Sequence, residues 1–180
     1  MEKLETKSKI KKIKIGILGG SFDPAHVGHL TISKVALKRL NLKSIIWAIT
    51  NQNPFKEKSE NDLKKRINIC KKIIGKNKSI KVKFFENIIN SNRTADLINY
   101  FSKKKKYELF FLMGADNLIK FHKWYKWKLI LKKSNIVVFD RHGYKKKSLN
   151  SKTYKSLNEK LITFIEFNKV NISSSQLKKI

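Results

Sequence analysis

The sequence predicts an α/β fold: one Rossmann-like parallel sheet with helices on both faces, in a single domain. Three observations carry this. Short runs rich in β-branched and apolar residues alternate with segments of helical spacing along the whole chain. The first such run ends at Gly19-Gly20 and passes directly into a helical pattern, the arrangement of a strand-to-helix phosphate turn. The length of 180 residues suits one hydrophobic core and is short for two.

Ile13, Ile15, Ile17 and Leu18 form a first strand with little polar interruption, as expected of a strand buried on both faces. After the turn, Leu30, Ile32, Val35, Ala36, Leu37 and Leu40 fall largely on one helical face. Ser44 to Thr50 is a second strand, followed by a loop through Lys58 that Pro54 keeps irregular. Leu63 to Ile74 has helical spacing and stops near Gly75, and Ile80 to Phe85 is the next strand. Thr94 is placed to cap a helix over Ala95 to Phe101, which ends in the lysine run 103–106, where cations suit a helix C-terminus. Leu109 to Met113 is an apolar strand ending at Gly114-Ala115-Asp116-Asn117, with short helical patterns beyond it through Leu131. A strand at Ile136 to Phe139, a polar stretch with one short helix from Tyr144 to Glu159, and a last strand from Leu161 to Phe167 complete the pattern. Residues 1–12 read as a basic N-terminal extension and 13–180 as the domain.

Composition narrows the class. The first twelve residues are charged and lack the apolar stretch of a secretory signal, and no later run approaches membrane-spanning length, so the expected location is the cytoplasm. The single cysteine, Cys70, excludes an internal disulfide and a Cys-x-x-Cys metal site, and its apolar neighbours make it a small core residue. A net charge of +29 invites a nucleic-acid reading. However, only four of the 42 basic residues are arginine, and the lysines are spread along the chain. Base-reading surfaces favour arginine forks. Most of the charge is therefore expected to be solvated surface that attracts anionic substrates, with no specific nucleic-acid partner and no membrane partner.

In open parallel sheets the ligand crevice lies beyond the carboxyl ends of the strands. That rule gathers residues 19–29, 51–56, 114–117 and the C-terminal segment 171–178. Gly19 and Gly20 let backbone approach a ligand, while His26 and His29, three apart at a helix N-terminus, can face one anion. Ser173 followed by Gln176 fits a capping box. A second helix N-terminus there, with Ser173, Ser174 and Lys178, would make a phosphate cradle. From the residues alone, Trp124, Tyr125 and Trp127 could be core or surface aromatics, with core favoured, and Asp116 a helix cap.

Taken together, these segments resemble the bacterial nicotinate-nucleotide adenylyltransferases of the HxGH nucleotidyltransferase superfamily. The likeness rests on Gly-Gly-Ser-Phe-Asp-Pro-Ala-His-Val-Gly-His-Leu at 19–30, Asn-Pro-Phe-Lys at 53–56 and Arg-Thr-Ala-Asp at 93–96. It extends to Met-Gly-Ala-Asp-Asn-Leu at 113–118, Phe-His-Lys-Trp-Tyr at 121–125 and Ile-Ser-Ser-Ser-Gln-Leu-Lys at 172–178. The resemblance implies transfer of AMP from ATP, with Mg²⁺ carried by the nucleotide, to nicotinate mononucleotide, giving deamido-NAD and pyrophosphate. It implies catalytic roles for His26, His29 and Lys178. It assigns ATP contacts to Gly19, Gly20, Ser21, Phe22, Gly114, Asp116, Ser173 and Ser174. Lys56, Thr94, Trp124 and Tyr125 would hold the mononucleotide, Trp124 by stacking and Thr94 and Tyr125 through backbone N–H groups. The family usually has arginine where this chain has Lys178, so one compact charge replaces a two-pronged fork and weaker ATP binding is expected. The chain also stops at Ile180, where many relatives continue. The same fold would serve a phosphopantetheine adenylyltransferase, and the charge would serve a non-catalytic nucleic-acid-binding protein. The segments at 114–117 and 121–125 argue for the pyridine nucleotide. The residues do not choose an oligomeric state.

Overall fold

In the computed structural model, residues 11–54, 58–140, 144–156 and 162–166 are described. Six strands form one sheet: β1 (Ile13–Gly20), β2 (Ser44–Ile49), β3 (Ile80–Phe84), β4 (Tyr107–Gly114), β5 (Asn135–Phe139) and β6 (Ile162–Ile165). Their order is β3-β2-β1-β4-β5-β6, and every pairing is parallel. Strand β1 lies at the centre, with Ile17 opposite Ile46 on one side and Phe111 on the other. The chain moves outward from β1 in one direction, then returns to its other side. The order therefore reverses between β1 and β4, and a crevice opens beyond their C-terminal ends.

Among the described residues eight α-helices cross between or follow the strands: α1 (Val27–Arg39), α2 (Leu63–Ile74), α3 (Glu86–Ile89), α4 (Thr94–Ser102), α5 (Ala115–Lys120), α6 (Trp127–Lys133), α7 (Lys145–Leu149) and α8 (Lys152–Lys155). Alternation along β4 divides the core. Leu109, Phe111 and Met113 face a cluster with Leu97, Ile98 and Phe101 of α4, Leu118 of α5 and Ile130 of α6. Phe110 and Leu112 face the opposite layer, with Ala36 of α1 and Cys70 of α2. Helices thus cover both faces, as the uninterrupted apolar strands require. Fully buried Trp47, Phe111 and Phe121 each contribute about 1.5–3 kcal/mol by leaving water. At Gly16 an added Cβ would lie 2.9 Å from Ile45 and 3.0 Å from Leu42, so this glycine permits the close turn from α1 into β2.

Cys70 is fully buried, as its neighbours predict, and burial pushes its thiol up to about 12. Two local expectations differ from the structure, and one element was not foreseen. Thr94 is the first residue of α4 and not its cap. Arg93 occupies the cap position without a side-chain bond, while Ser91 Oγ takes the Arg93 N–H at 3.1 Å and donates to Asp96 at 2.7 Å. The short helix α3 was not legible, because four residues are too few to show a period. The polar stretch after Tyr144 forms two short helices instead of one, the second begun by Ser151, whose Oγ accepts the Tyr154 N–H. Among the described residues no helix is long and apolar enough to cross a membrane.

Candidate active site

A cavity of about 370 Å³ opens where the strand order reverses, within the size range of small-molecule clefts. Its wall includes Gly19, Gly20, Ser21, Phe22, His26 and His29 from the β1–α1 turn. Thr94 joins them from the start of α4, Gly114 and Asp116 from the end of β4, and Trp124 and Tyr125 from the segment after α5. Eleven of the sequence-predicted positions thus meet in one place. The other four, Lys56, Ser173, Ser174 and Lys178, lie outside the described residues.

The spacing of the two histidines has a local cause. His26 is the N-cap of α1, and its Nδ1 accepts the Gly28 N–H at 3.1 Å, while His29 Nδ1 accepts the His26 N–H at 3.2 Å. The pair is a reciprocal cap built from imidazoles. The usual capping residues include carboxylates, which would set negative charge at this helix end; the first turn of α1 contains no acidic residue. With both Nδ1 atoms accepting, the neutral rings carry their protons on Nε2, which leaves that nitrogen as a donor. The rings lie 4.0 Å apart, and the His29 ring is 4.9 Å from Phe22, itself stacked at 5.1 Å on buried Trp47. Trp47 donates its indole N–H to Ser33 Oγ at 2.8 Å, and Ser33 donates to the His29 carbonyl at 2.8 Å. The histidines are therefore fixed from the core outward.

At Gly19 and Gly20 an added Cβ would make only ordinary contacts, 3.7 Å to Phe111 and 3.5 Å to Phe22. The protein does not use their missing side chains, so the room belongs to the cavity. Gly114 is different. A Cβ there would collide with Asp116 Oδ1, so the glycine lets that carboxylate fold back over the end of β4. Asp116 does not cap α5; Gly114 holds the cap position.

On the opposite wall, Trp124 is half-buried and meets Phe111 and Phe121 edge-on, with centroids 6.1 Å and 5.3 Å away. Tyr125 is 46% exposed, with the Arg93 guanidinium 5.7 Å and the Lys126 ammonium 5.0 Å from its ring centre. Lys126 is raised above the ordinary lysine value, first by its hydrogen bond with the Tyr125 side chain. His122 holds this segment in place: its backbone N–H donates to Thr153 Oγ1 at 3.1 Å, and its ring Nδ1 lies 3.0 Å from the same oxygen. Thr94 opens α4, so its N–H has no acceptor inside the helix, whereas the Asp96 N–H already donates to the Arg93 carbonyl at 3.1 Å.

The chain matches the model of the cytidylyltransferase-like family over residues 17–180. A protein of Pelagibacter ubique (strain HTCC1062), described as a probable nicotinate-nucleotide adenylyltransferase, is 66% identical over 180 residues, spanning all of both chains. The chain belongs to the nicotinate-nucleotide adenylyltransferase family. A relative of the same description from Agrobacterium fabrum (strain C58 / ATCC 33970) is 39% identical, covering 72% of this chain and 70% of that one. The fold agrees as well. The solved Plasmodium falciparum nicotinic acid mononucleotide adenylyltransferase complexed with NaAD superposes with a TM-score of 0.72 at 20% identity, over 93% of this chain and 83% of that one.

Several residues of the site escaped the sequence reading. Glu86 of α3 lines the cavity and accepts from Thr50 Oγ1 and from the Asn51 N–H at 2.9 Å. Asp140, just beyond β5, lines it too, with Oδ1 buried and without a hydrogen-bond partner among the described residues. Arg66 and Asp23 are almost fully buried behind the β1–α1 turn. A signal for Arg66 was present. It falls on the apolar stripe of α2 with Leu63, Ile67, Cys70, Ile73 and Ile74, in a chain that uses lysine for nearly all its positive charge.

Proposed function

We propose that this protein transfers AMP from ATP to nicotinate mononucleotide, forming deamido-NAD and pyrophosphate, and so serves NAD biosynthesis. The observation that carries the proposal is the convergence on one cavity of a phosphate turn, a half-buried carboxylate and a flat aromatic, in a chain of this family. A phosphate oxygen of the mononucleotide attacks the α-phosphorus of ATP. The bond from that phosphorus to the bridging oxygen breaks, and pyrophosphate leaves with the electron pair. The protein positions the two anions and stabilises the charge that develops between them.

His26 and His29 offer their Nε2–H groups to the ATP phosphates, His29 toward the α-phosphate, at the N-terminus of α1 that their Nδ1 atoms cap. Gly19, Gly20, Ser21 and Phe22 give the triphosphate a close backbone path, and Asp116 accepts hydroxyl hydrogen bonds from the adenosine ribose beside Gly114. Trp124 stacks on the pyridine ring, while the backbone N–H groups of Thr94 and Tyr125 receive its carboxylate. Lys56 would meet the mononucleotide phosphate, and Ser173, Ser174 and Lys178 the triphosphate from the far side. Mg²⁺ fits this arrangement as a companion of the triphosphate: it prefers phosphate and water oxygens to a protein cage, and the carboxylates of Asp116 and Asp140 stand at the cavity wall.

The direct test is incubation with ATP, Mg²⁺ and nicotinate mononucleotide, with both products identified by mass. Equal amounts of pyrophosphate and deamido-NAD are expected. Silence of the folded protein, or hydrolysis of ATP without the dinucleotide, contradicts the proposal.

A further inference from the structure

Among the described residues the largest buried polar side chain is Arg66, near the start of α2 and 1% exposed, and no step above uses it. A guanidinium stays charged in any protein environment, and burying one without hydrogen bonds is costly. Here its bonds have one pattern. Nε donates to the Asn61 carbonyl at 3.0 Å, Nη1 to the Ser21 and Thr50 carbonyls at 2.7 and 2.8 Å, and Nη2 to the Asn51 carbonyl at 2.9 Å. All four acceptors are backbone oxygens from the loops that frame the cavity. Ser21 belongs to the phosphate turn after β1. Thr50 and Asn51 open the loop after β2 that brings Asn53 and Pro54 to the cavity, and Asn61 closes that loop at the foot of α2.

Buried Asp23 repeats the connection from the other side, accepting the Glu60 N–H at 2.8 Å and the Asn61 Nδ2–H at 2.7 Å. The residue after Ser21, Phe22, is held at φ 49, a left-handed conformation that a bulky side chain rarely adopts without support. A bond to the Ser21 carbonyl fixes the orientation of the peptide between them, and planarity turns the Phe22 N–H away from the guanidinium.

We infer that Arg66 is a positioning residue for adenylyl transfer: it clasps the phosphate turn to the loop after β2 and so sets the distance between the attacked and the attacking phosphates. The inference rests on the functional reading above, with ATP at the turn and the mononucleotide beside the loop. Arginine suits the task because a rigid planar fork reaches carbonyls on three sides, whereas lysine concentrates its donors at one point. Misplacing reacting groups by about 1 Å can cost on the order of a hundredfold in rate.

The test compares wild type with Arg66→Lys at a temperature where denaturation curves show both fully folded, recording kcat and both KM values. The clasp predicts that kcat falls on the order of a hundredfold in folded Arg66→Lys while the ATP KM changes only several-fold. Because the obvious variant could fold poorly, Asn61→Ala, which removes only the side-chain tie to Asp23, serves as the second. It is expected to lower kcat in the same direction by a smaller factor. A purely structural arginine predicts instead a lower denaturation midpoint with unchanged kcat and KM in the folded fraction, and that result, in either variant, overturns the inference. An inactive wild type overturns the functional reading itself, so the two failures are distinguishable.

Discussion

On the proposed function His29 carries two jobs on two nitrogens, and they can be separated. Its Nδ1 accepts the His26 N–H at 3.2 Å in the cap of α1, while its Nε2 is the donor assigned to the α-phosphate. Replacing it by alanine removes both. Loss of the cap should cost about 1 kcal/mol, within the 0.5–2 kcal/mol range of cap removals. For a chain of this size that lowers the melting temperature by about 2–4 °C. Loss of the donor should lower kcat by about 10²–10³, or about 2.7–4 kcal/mol of transition-state stabilisation. His29→Asn sets an amide oxygen near the place of Nδ1 and nothing in the place of Nε2. It should therefore melt within about 2 °C of wild type, the equivalent of about 0.5 kcal/mol. Its turnover should fall as far as that of His29→Ala. Thermal denaturation and pyrophosphate release on the three proteins decide the matter. If His29→Asn turned over nearly as fast as wild type, the donor role would be wrong; if it melted as low as His29→Ala, the cap assignment would be.

Three further outcomes follow from particular contacts. Gly114→Ala should push the Asp116 carboxylate aside and raise the ATP KM by roughly tenfold, about 1.4 kcal/mol, whereas an unchanged KM would remove Asp116 from the ribose site. Trp124→Ala should raise the KM for nicotinate mononucleotide more than that for ATP, with Trp124→Phe restoring part of the difference; equal rises for both substrates would end the stacking assignment. Cys70 sets a pH dependence. Its folded thiol is raised from 9.0 to about 12, so on raising the pH the unfolded chain loses that proton first and stability falls between those values, by at most about 1.4 kcal/mol per pH unit. Urea denaturation at pH 8, 9 and 10 should show a shallower decline for Cys70→Ala than for wild type, and parallel curves would refute the burial argument.

Much of this architecture is legible in the chain because its strands are buried on both faces. Ile13 to Leu18, Leu109 to Met113 and Ile136 to Phe139 could hardly be anything but central parallel strands, and the alternation with helices set their connections. The glycine and histidine turn was legible for a related reason: close backbone approach and a helix start demand particular residues in a short span. What stayed hidden depends on side-chain partners distant in sequence. Thr94 looked like a cap because threonine so often is one, but Ser91 and Asp96 organise that turn. Nothing in the spacing of His26 and His29 says that each ring caps the other. Arg66 is held by carbonyls 5, 15, 16 and 45 residues away, and no local pattern records them. The same holds for Asp140, whose place at the cavity follows from the sheet bringing the end of β5 beside that of β4.

The central claim is the pairing of this cavity with one acceptor. It is tested most directly by measuring pyrophosphate release from ATP and Mg²⁺ with nicotinate mononucleotide, nicotinamide mononucleotide and phosphopantetheine in parallel. The account predicts rapid release with the nicotinate compound and much slower release with the other two. Release with phosphopantetheine alone would leave the histidine turn standing and overturn the acceptor site, and silence with all three would contradict the account as a whole.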